Sequence, residues 1–241
     1  MSNKKTDHPK GSKKLIGAWA LYDWANSVYS LVISSAIFPI YYSQYVFSQT
    51  NSVEILNLDI NKDTLISSVS ALSFLLIAFL SPLLSGIADF IGNKKIFMKF
   101  FVYMGSLSCI GLYWFELETI EISLLFYTLG LIGFWGSLVY YNSYLTDITY
   151  PNQTNKVSAK GYTMGYVGSV ILLLINLFMI NFYETFGFES EIAAMKSSFA
   201  IVGIWWLAFS QYSFYHLPLS LIHISEPTRR YAISYAVFCL K

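Results

Sequence analysis

The sequence predicts an all-α polytopic membrane protein with six transmembrane helices. Of its 241 residues, 55% are hydrophobic and 12% are charged, whereas soluble domains usually carry about 25% charged residues. The charges are also clustered, and they are separated by apolar runs of about 20 residues, long enough to cross a bilayer as a helix. Because several such runs follow one another, we expect an integral membrane protein rather than a soluble enzyme.

The six spans are set by the apolar runs and by the helix breakers between them. Backbone groups in lipid must find hydrogen-bond partners within the protein, and segments of this length do so as helices rather than as the shorter strands of a barrel. The predicted spans are 17–42, 64–88, 96–115, 122–145, 161–183 and 194–217. Together they form one transmembrane unit over residues 17–218.

Lysine positions predict how this unit is oriented. Ten lysines lie before the first span, around the connection of spans two and three, or between spans four and five. The loops on the other side carry two lysines and nine acidic residues. The positive-inside rule therefore places the N-terminus in the cytoplasm. The expected location is the cytoplasmic (inner) membrane, as a multi-pass protein.

The N-terminal segment 1–16 is predicted to be a cytoplasmic tail. It is lysine-rich like the start of a signal peptide, but a full-length span follows it without a small-residue cleavage site. The two cysteines, Cys109 and Cys239, provide neither a disulfide framework nor a zinc-ligand spacing. We therefore expect no metal site and no cofactor.

The C-terminal segment 219–241 differs from the rest of the chain. It holds both arginines of the protein, Arg229 and Arg230, and it reads as the in-frame translation of a transposase sequencing adapter. We therefore expect this tail to be non-native, with genuine sequence ending near Pro218. The chain is then predicted to be a fragment.

The first span carries a polar stripe. Asp23, Asn26 or Ser27, Ser30 and Ser34 follow at helical spacing. Because polar groups are costly in lipid, the stripe should face protein or a water-filled cavity. Asp23 is a candidate for binding a proton or a solute, and the alternative is an anchor for helix packing or for the membrane interface.

The fourth span ends in a second polar stretch, with Tyr141, Asn142 and Tyr144 near its end. Aromatic residues close to a helix end often form a belt at the membrane interface, and this alternative stays open for the two tyrosines. Asn142 is better explained as an interior hydrogen-bonding group. We include all three among the candidate pathway residues.

The short loop after the second span is a candidate conformational hinge. Gly86 and Asp89 precede it, Gly92 permits a tight reversal, and Lys94 and Lys95 supply positive charge. Asp89 could bond to neighbouring helix ends or pair with either lysine. The alternative is an ordinary cytoplasmic turn in which the aspartate caps a helix.

The fifth span opens with three glycines, Gly161, Gly165 and Gly168. A glycine every four residues lets a neighbouring helix backbone approach closely. The glycines lack the strand–turn–helix setting of a dinucleotide-binding fingerprint. We therefore predict a role in helix packing.

These segments together resemble the vacuolar-effluxer-like branch of the major facilitator superfamily, over nearly all of residues 15–218. The loop resembles the signature loop of the superfamily, except that Asn93 stands where a basic residue is usual. The other motifs that carry the resemblance are ALYDWANS at 20–27, FP at 38–39, SPLLSGIAD at 81–89, YNSYLTDI at 141–148, KGY at 160–162 and IWWLAF at 204–209. The resemblance implies the N-terminal half, an inverted three-plus-three repeat, of a twelve-helix transporter. Spans one and four would line its central cavity, and the C-terminal half would be a missing partner.

The function expected from this resemblance is secondary active transport by alternating access. The permease would move a small organic solute, with an amino acid as a candidate, and Asp23 would bear a coupling proton unless sodium is the ion. The alternative is a non-transporting membrane sensor or scaffold on the same fold. The sequence lacks a His or Cys cluster and a Gly-rich phosphate loop, so we expect neither an enzyme nor an ATP-driven pump. The expected partners are the lipid bilayer and the solute, not nucleic acid.

Overall fold

The fold is known from a computed structural model that describes residues 8–55 and 57–218. The predicted adapter-derived tail, 219–241, and the first seven residues of the predicted cytoplasmic tail lie outside this description. Within α3, the side chains of Asp89 and Ile91 lie outside it as well.

The described chain is almost entirely helical, which confirms the all-α membrane class. Five of its helices are long and apolar enough to cross a membrane. They are α3 (Lys62–Ile91), α4 (Lys94–Gly111), α5 (Ile120–Ile148), α6 (Thr154–Asn181) and α7 (Glu191–His216). They correspond to predicted spans two to six.

The first predicted span is not one continuous α-helix. It begins earlier than predicted, because the side chain of Ser12 caps α1 by accepting a hydrogen bond from the Leu15 N–H at 3.4 Å. Its helical segments are α1 (Lys13–Val28), a π-helix (Tyr29–Ala36), α2 (Ile37–Ile40) and a second π-helix (Tyr41–Val46). The α pattern gives way to a π-helix at Tyr29 and again at Tyr41, and the short α segment between them contains Pro39, which has no N–H to donate to the preceding turn. The predicted number of six spans is therefore not confirmed.

The loop before α3 contains a short β-hairpin that the sequence analysis did not predict. Strand β1 (Ser52–Ile55) pairs antiparallel with β2 (Leu58–Asn61), with Val53 opposite Ile60. Asn57 turns the chain with φ of 62°, a left-handed conformation that asparagine tolerates.

Two helix contacts organise the bundle. Helix α4 lies against α5, and α1 lies against α6 and α7. A Cβ added to Gly133 would stand 2.5 Å from the Gly105 Cα, so the backbones of α5 and α4 nearly touch where these glycines meet. Helix α3 is much more exposed than the others, with Phe79 70% exposed, and its outer face is apolar enough to contact lipid or another membrane segment.

Candidate functional site

A cavity with a volume of about 460 Å³ lies among α1, the following π-helix, α5 and α6. These elements include the two predicted spans that carry the polar stretches. Five of the seven candidate pathway residues line it: Asp23, Asn26, Ser30, Tyr141 and Asn142. The helices therefore bring most of the predicted polar residues to one place.

Asp23 lies in the wall formed by α1 and is only 7% exposed. The Ser27 hydroxyl, one turn further along, donates to Asp23 Oδ1 at 3.1 Å. Gly165 of α6 faces both side chains, since an added Cβ there would lie 2.5 Å from Ser27 Oγ and 3.0 Å from Asp23 Cγ. The carboxylate is thus held between its own helix and α6.

Asn26 links the cavity to a fully buried polar cluster. Its amide lies beside the hydroxyl of Tyr22, which is also close to Ser137 and to the indole of Trp206. All four side chains have no exposed surface. Buried polar groups are costly unless they find partners, and within the described residues the Tyr22 hydroxyl, the Asn26 amide and the Trp206 N–H lie close together without a hydrogen bond of good geometry.

The π-helix after α1 changes which serine reaches the cavity. Ser34, predicted from α-helical spacing, is exposed and is not among the lining residues, whereas Ser35 is. Ser35 Oγ donates to the Ser30 carbonyl five residues earlier, at 3.0 Å. A π-turn has more residues per turn than an α-turn, so the residue above Ser30 is shifted by one position.

Tyr141 and Asn142 occupy the α5 side of the cavity. The Tyr141 ring stacks on Trp19, with centroids 4.3 Å apart and an interplanar angle of 9°. Trp19 Nε1 donates to the Tyr141 carbonyl at 2.9 Å. Tyr141 is therefore buried in a helix interface rather than placed at a lipid surface, and Asn142 beside it is exposed to the cavity.

Tyr144 lies outside the cavity. It is fully buried, and its hydroxyl donates to the Pro218 carbonyl at 2.8 Å. This bond connects α5 to the residues that follow α7. The structure thus gives Tyr144 a packing position.

The loop between α3 and α4 has the geometry of a tight reversal. Gly92 ends α3 with φ of +68°, where a side chain would be strained. Asn93 Oδ1 then accepts from the Ile96 N–H at 3.3 Å and caps α4. Asparagine at this position, where a basic residue is usual in the superfamily, thus has a structural use. Gly86 lies one turn and a half earlier in α3 with open space around it.

The two loop lysines bind different helix ends. Lys94 Nζ lies 3.3 Å from Asp147 Oδ2 at the end of α5, and Lys95 Nζ donates to the Phe214 carbonyl at 2.8 Å near the end of α7. Pairing of Lys94 or Lys95 with Asp89 was one expectation from the sequence, and the side chain of Asp89 is outside the described part. The partner of Lys94, Asp147, lies 53 positions away in the sequence and was not predicted.

The three glycines of α6 all face α1. An added Cβ would come within 2.6 Å of Trp19 at Gly161 and within 2.8 Å of Trp24 at Gly168. With Gly165 against Ser27 between them, they form a continuous contact line. This geometry supports the predicted packing role.

Several cavity residues were not singled out from the sequence. They are aromatic or small, and they include Trp19, Trp135, Tyr162, Tyr166 and Ser35. The spacing of Tyr162 and Tyr166 places them on one face of α6, and this signal could have identified them. In the described ranges no group of three His, Cys, Asp or Glu residues is arranged to hold a metal ion.

Comparison with known proteins shows which proteins this chain is similar to. A family model described as "Vacuole effluxer Atg22 like" matches residues 11–238. The chain is also 36% identical over 194 residues to the uncharacterized MFS-type transporter YxiO of Bacillus subtilis (strain 168). That alignment covers 80% of this chain and 44% of the relative, so the chain spans less than half of the relative's length. No solved structure gives a significant match.

Proposed function

We propose that this chain, which belongs to the vacuole effluxer Atg22-like family of MFS-type transporters, forms the N-terminal half of a secondary permease for a small organic solute. The observation that carries the proposal is the polar cavity formed by α1, α5 and α6. A cavity between transmembrane helices that contains a carboxylate and amides is where a solute pathway is expected. The family points to a transporter rather than to an enzyme.

A second half would complete the site. The chain covers 44% of its relative's length, and α3 presents a long apolar face with few contacts to the rest of the chain. Both observations support a partner half that would enclose the cavity from the other side. Rocking of the two halves around the midplane would then give alternating access.

The distribution of lysines supports an N-terminus on the cytoplasmic side of the proposed inner membrane. Three lysines bind near the C-terminal ends of α5 and α7. Lys10 donates to the Thr146 carbonyl, Lys94 pairs with Asp147, and Lys95 donates to the Phe214 carbonyl. The other end carries the Lys196–Glu116 ion pair. Positive charge concentrated at one end of the bundle fits the cytoplasmic side.

Asp23 is the proposed site for the coupling proton, with sodium as the other candidate ion. It is the carboxylate in the cavity wall, and it is nearly buried. A buried carboxylate changes its protonation when a nearby cation or water arrives or leaves. It could therefore link ion movement to solute movement.

A transport assay tests this function. The product of the complete gene is reconstituted in vesicles that contain a pH-sensitive dye, and labelled solutes including amino acids are added under an imposed proton or sodium gradient. We expect at least one solute to accumulate against its gradient and an ionophore to abolish the accumulation. Protein-containing vesicles that accumulate none of the solutes would favour the sensor or scaffold alternative.

A further inference from the structure

The cavity wall combines one carboxylate with several aromatic rings, and we propose that it binds a protonated amine carried on an apolar body. This inference rests on the proposed transport function and names the substrate class of the same site. The described part of this wall provides no cationic side chain for an anionic group.

The ionisable group of the wall is acidic. Among the described residues that line the cavity, Asp23 is the one acidic side chain, and lysine, arginine and histidine do not contribute. Within residues 8–55 and 57–218, Asp23 makes no ion pair. Because a nearly buried carboxylate is costly without a compensating positive charge, this position favours a proton or a cation.

The carboxylate is also fixed in position. Ser27 donates to Oδ1 at 3.1 Å, and the backbone of α6 at Gly165 lies against the other side of the group. A carboxylate that is held in this way can make a directional, charge-assisted hydrogen bond to an ammonium group.

Aromatic rings surround this carboxylate. Trp19 and Tyr141 form a stacked pair in the wall, and the Trp19 N–H is already used by a backbone carbonyl. From α6, Tyr162 and Tyr166 line the same cavity and are 64% and 72% exposed. Aromatic faces attract cations and also cover apolar groups, so the rings suit both parts of such a solute.

An anionic group would find no cationic side chain among the described residues of this wall. The two lysines of the α3–α4 loop are bound at the ends of α5 and α7, and neither lines the cavity. The remaining polar side chains include Asn26, Asn142 and Ser30, which can bind neutral hydroxyl or amide groups. The positive charge that balances a carboxylate on the solute would therefore have to come from other parts of the protein.

Three probes of similar shape and different charge test this inference. The complete gene product in lipid nanodiscs is titrated with 2-phenylethylamine, 2-phenylethanol and 3-phenylpropanoate, and binding is followed by isothermal titration calorimetry. We expect the amine to bind at least about tenfold more tightly than the alcohol and the anion to bind more weakly still. Asp23→Asn should remove the preference for the amine, while Asp59→Asn, an exposed aspartate in β2, should retain it.

Equal or tighter binding of the alcohol or the anion would overturn the inference, as would an undiminished amine preference in Asp23→Asn. Failure of the amine to bind to a protein that still transports a solute would overturn it too. In each case the transport function would stand. Loss of transport activity for all solutes would instead contradict the proposed function.

Discussion

Asp23→Asn is expected to abolish ion-driven solute accumulation in vesicles that contain the complete gene product. The substitution keeps the shape of the side chain and its bond to Ser27 but removes the charge that would bind a proton or a cation. Losing about 1.4 kcal/mol or more of interaction between this side chain and the bound ion lowers the uptake rate at least tenfold. Initial uptake rates under an imposed proton gradient, measured with the solute found for the wild type, check this expectation.

The matched control for this change is Asp59→Asn. Asp59 lies in the exposed hairpin strand β2, away from the cavity, so uptake should match that of the wild type. Thermal unfolding of both variants establishes that they fold. A folded Asp23→Asn protein that accumulates solute normally would rule out this carboxylate as the coupling group.

Gly133→Ala is expected to cause the largest loss of stability among single methyl additions in the bundle. The new Cβ would stand 2.5 Å from the Gly105 Cα, 2.6 Å from its nitrogen and 2.7 Å from the Phe101 carbonyl oxygen. All three are backbone atoms, so the substitution can be accommodated only if α4 and α5 move apart. Overpacking of this kind costs about 1–3 kcal/mol, which corresponds to a fall in Tm of roughly 2–12 °C for a chain of this size.

The control is Gly17→Ala in α1, where no atom lies within 4 Å of the added methyl group. That variant should unfold at or slightly above the wild-type temperature, since alanine favours a helix over glycine. Thermal unfolding in the same detergent compares the two variants. A Gly133→Ala protein as stable as Gly17→Ala would show that α4 and α5 do not cross as closely as described.

Periodicity and hydropathy were enough to predict five of the membrane helices and the grouping of polar residues from the first and fourth spans. They worked because each signal is local: an apolar run sets a helix, and residues one turn apart share a face. The same reasoning wrongly placed Ser34 toward the cavity, because a π-helix shifts the register of the side chains and no local sequence pattern predicts that shift. The continuity of the first span was misjudged for the same reason, since its α pattern changes to a π-helix at Tyr29.

Long-range contacts were beyond local reasoning. Lys94 pairs with Asp147 and Tyr144 with the Pro218 carbonyl, and in both cases the partners are more than fifty positions apart. Tyr144 had the same spacing signal as Tyr141, yet only Tyr141 reaches the cavity. Which of two aromatic residues on one helix faces the cavity depends on how the neighbouring helices pack.

The most direct test of the central claim, that α1, α5 and α6 surround a water-filled solute path, is thiol accessibility at Asn142. Asn142 lines the cavity six positions before the end of α5. Its depth-matched control is Phe100, which is 59% exposed six positions after the start of α4 at the end joined to α5 by the Lys94–Asp147 pair. Each is changed to cysteine in a complete gene product in which Cys109 and every other native cysteine are replaced by serine. The modification rate with a membrane-impermeant thiosulfonate is then measured in vesicles.

We expect Asn142→Cys to react at least about tenfold faster than Phe100→Cys, because thiolate forms in water and not in lipid. Bound solute should slow the reaction at Asn142 and leave Phe100 unchanged. Equal rates at the two positions, with no protection by solute, would contradict the account and place Asn142 outside any water-filled path.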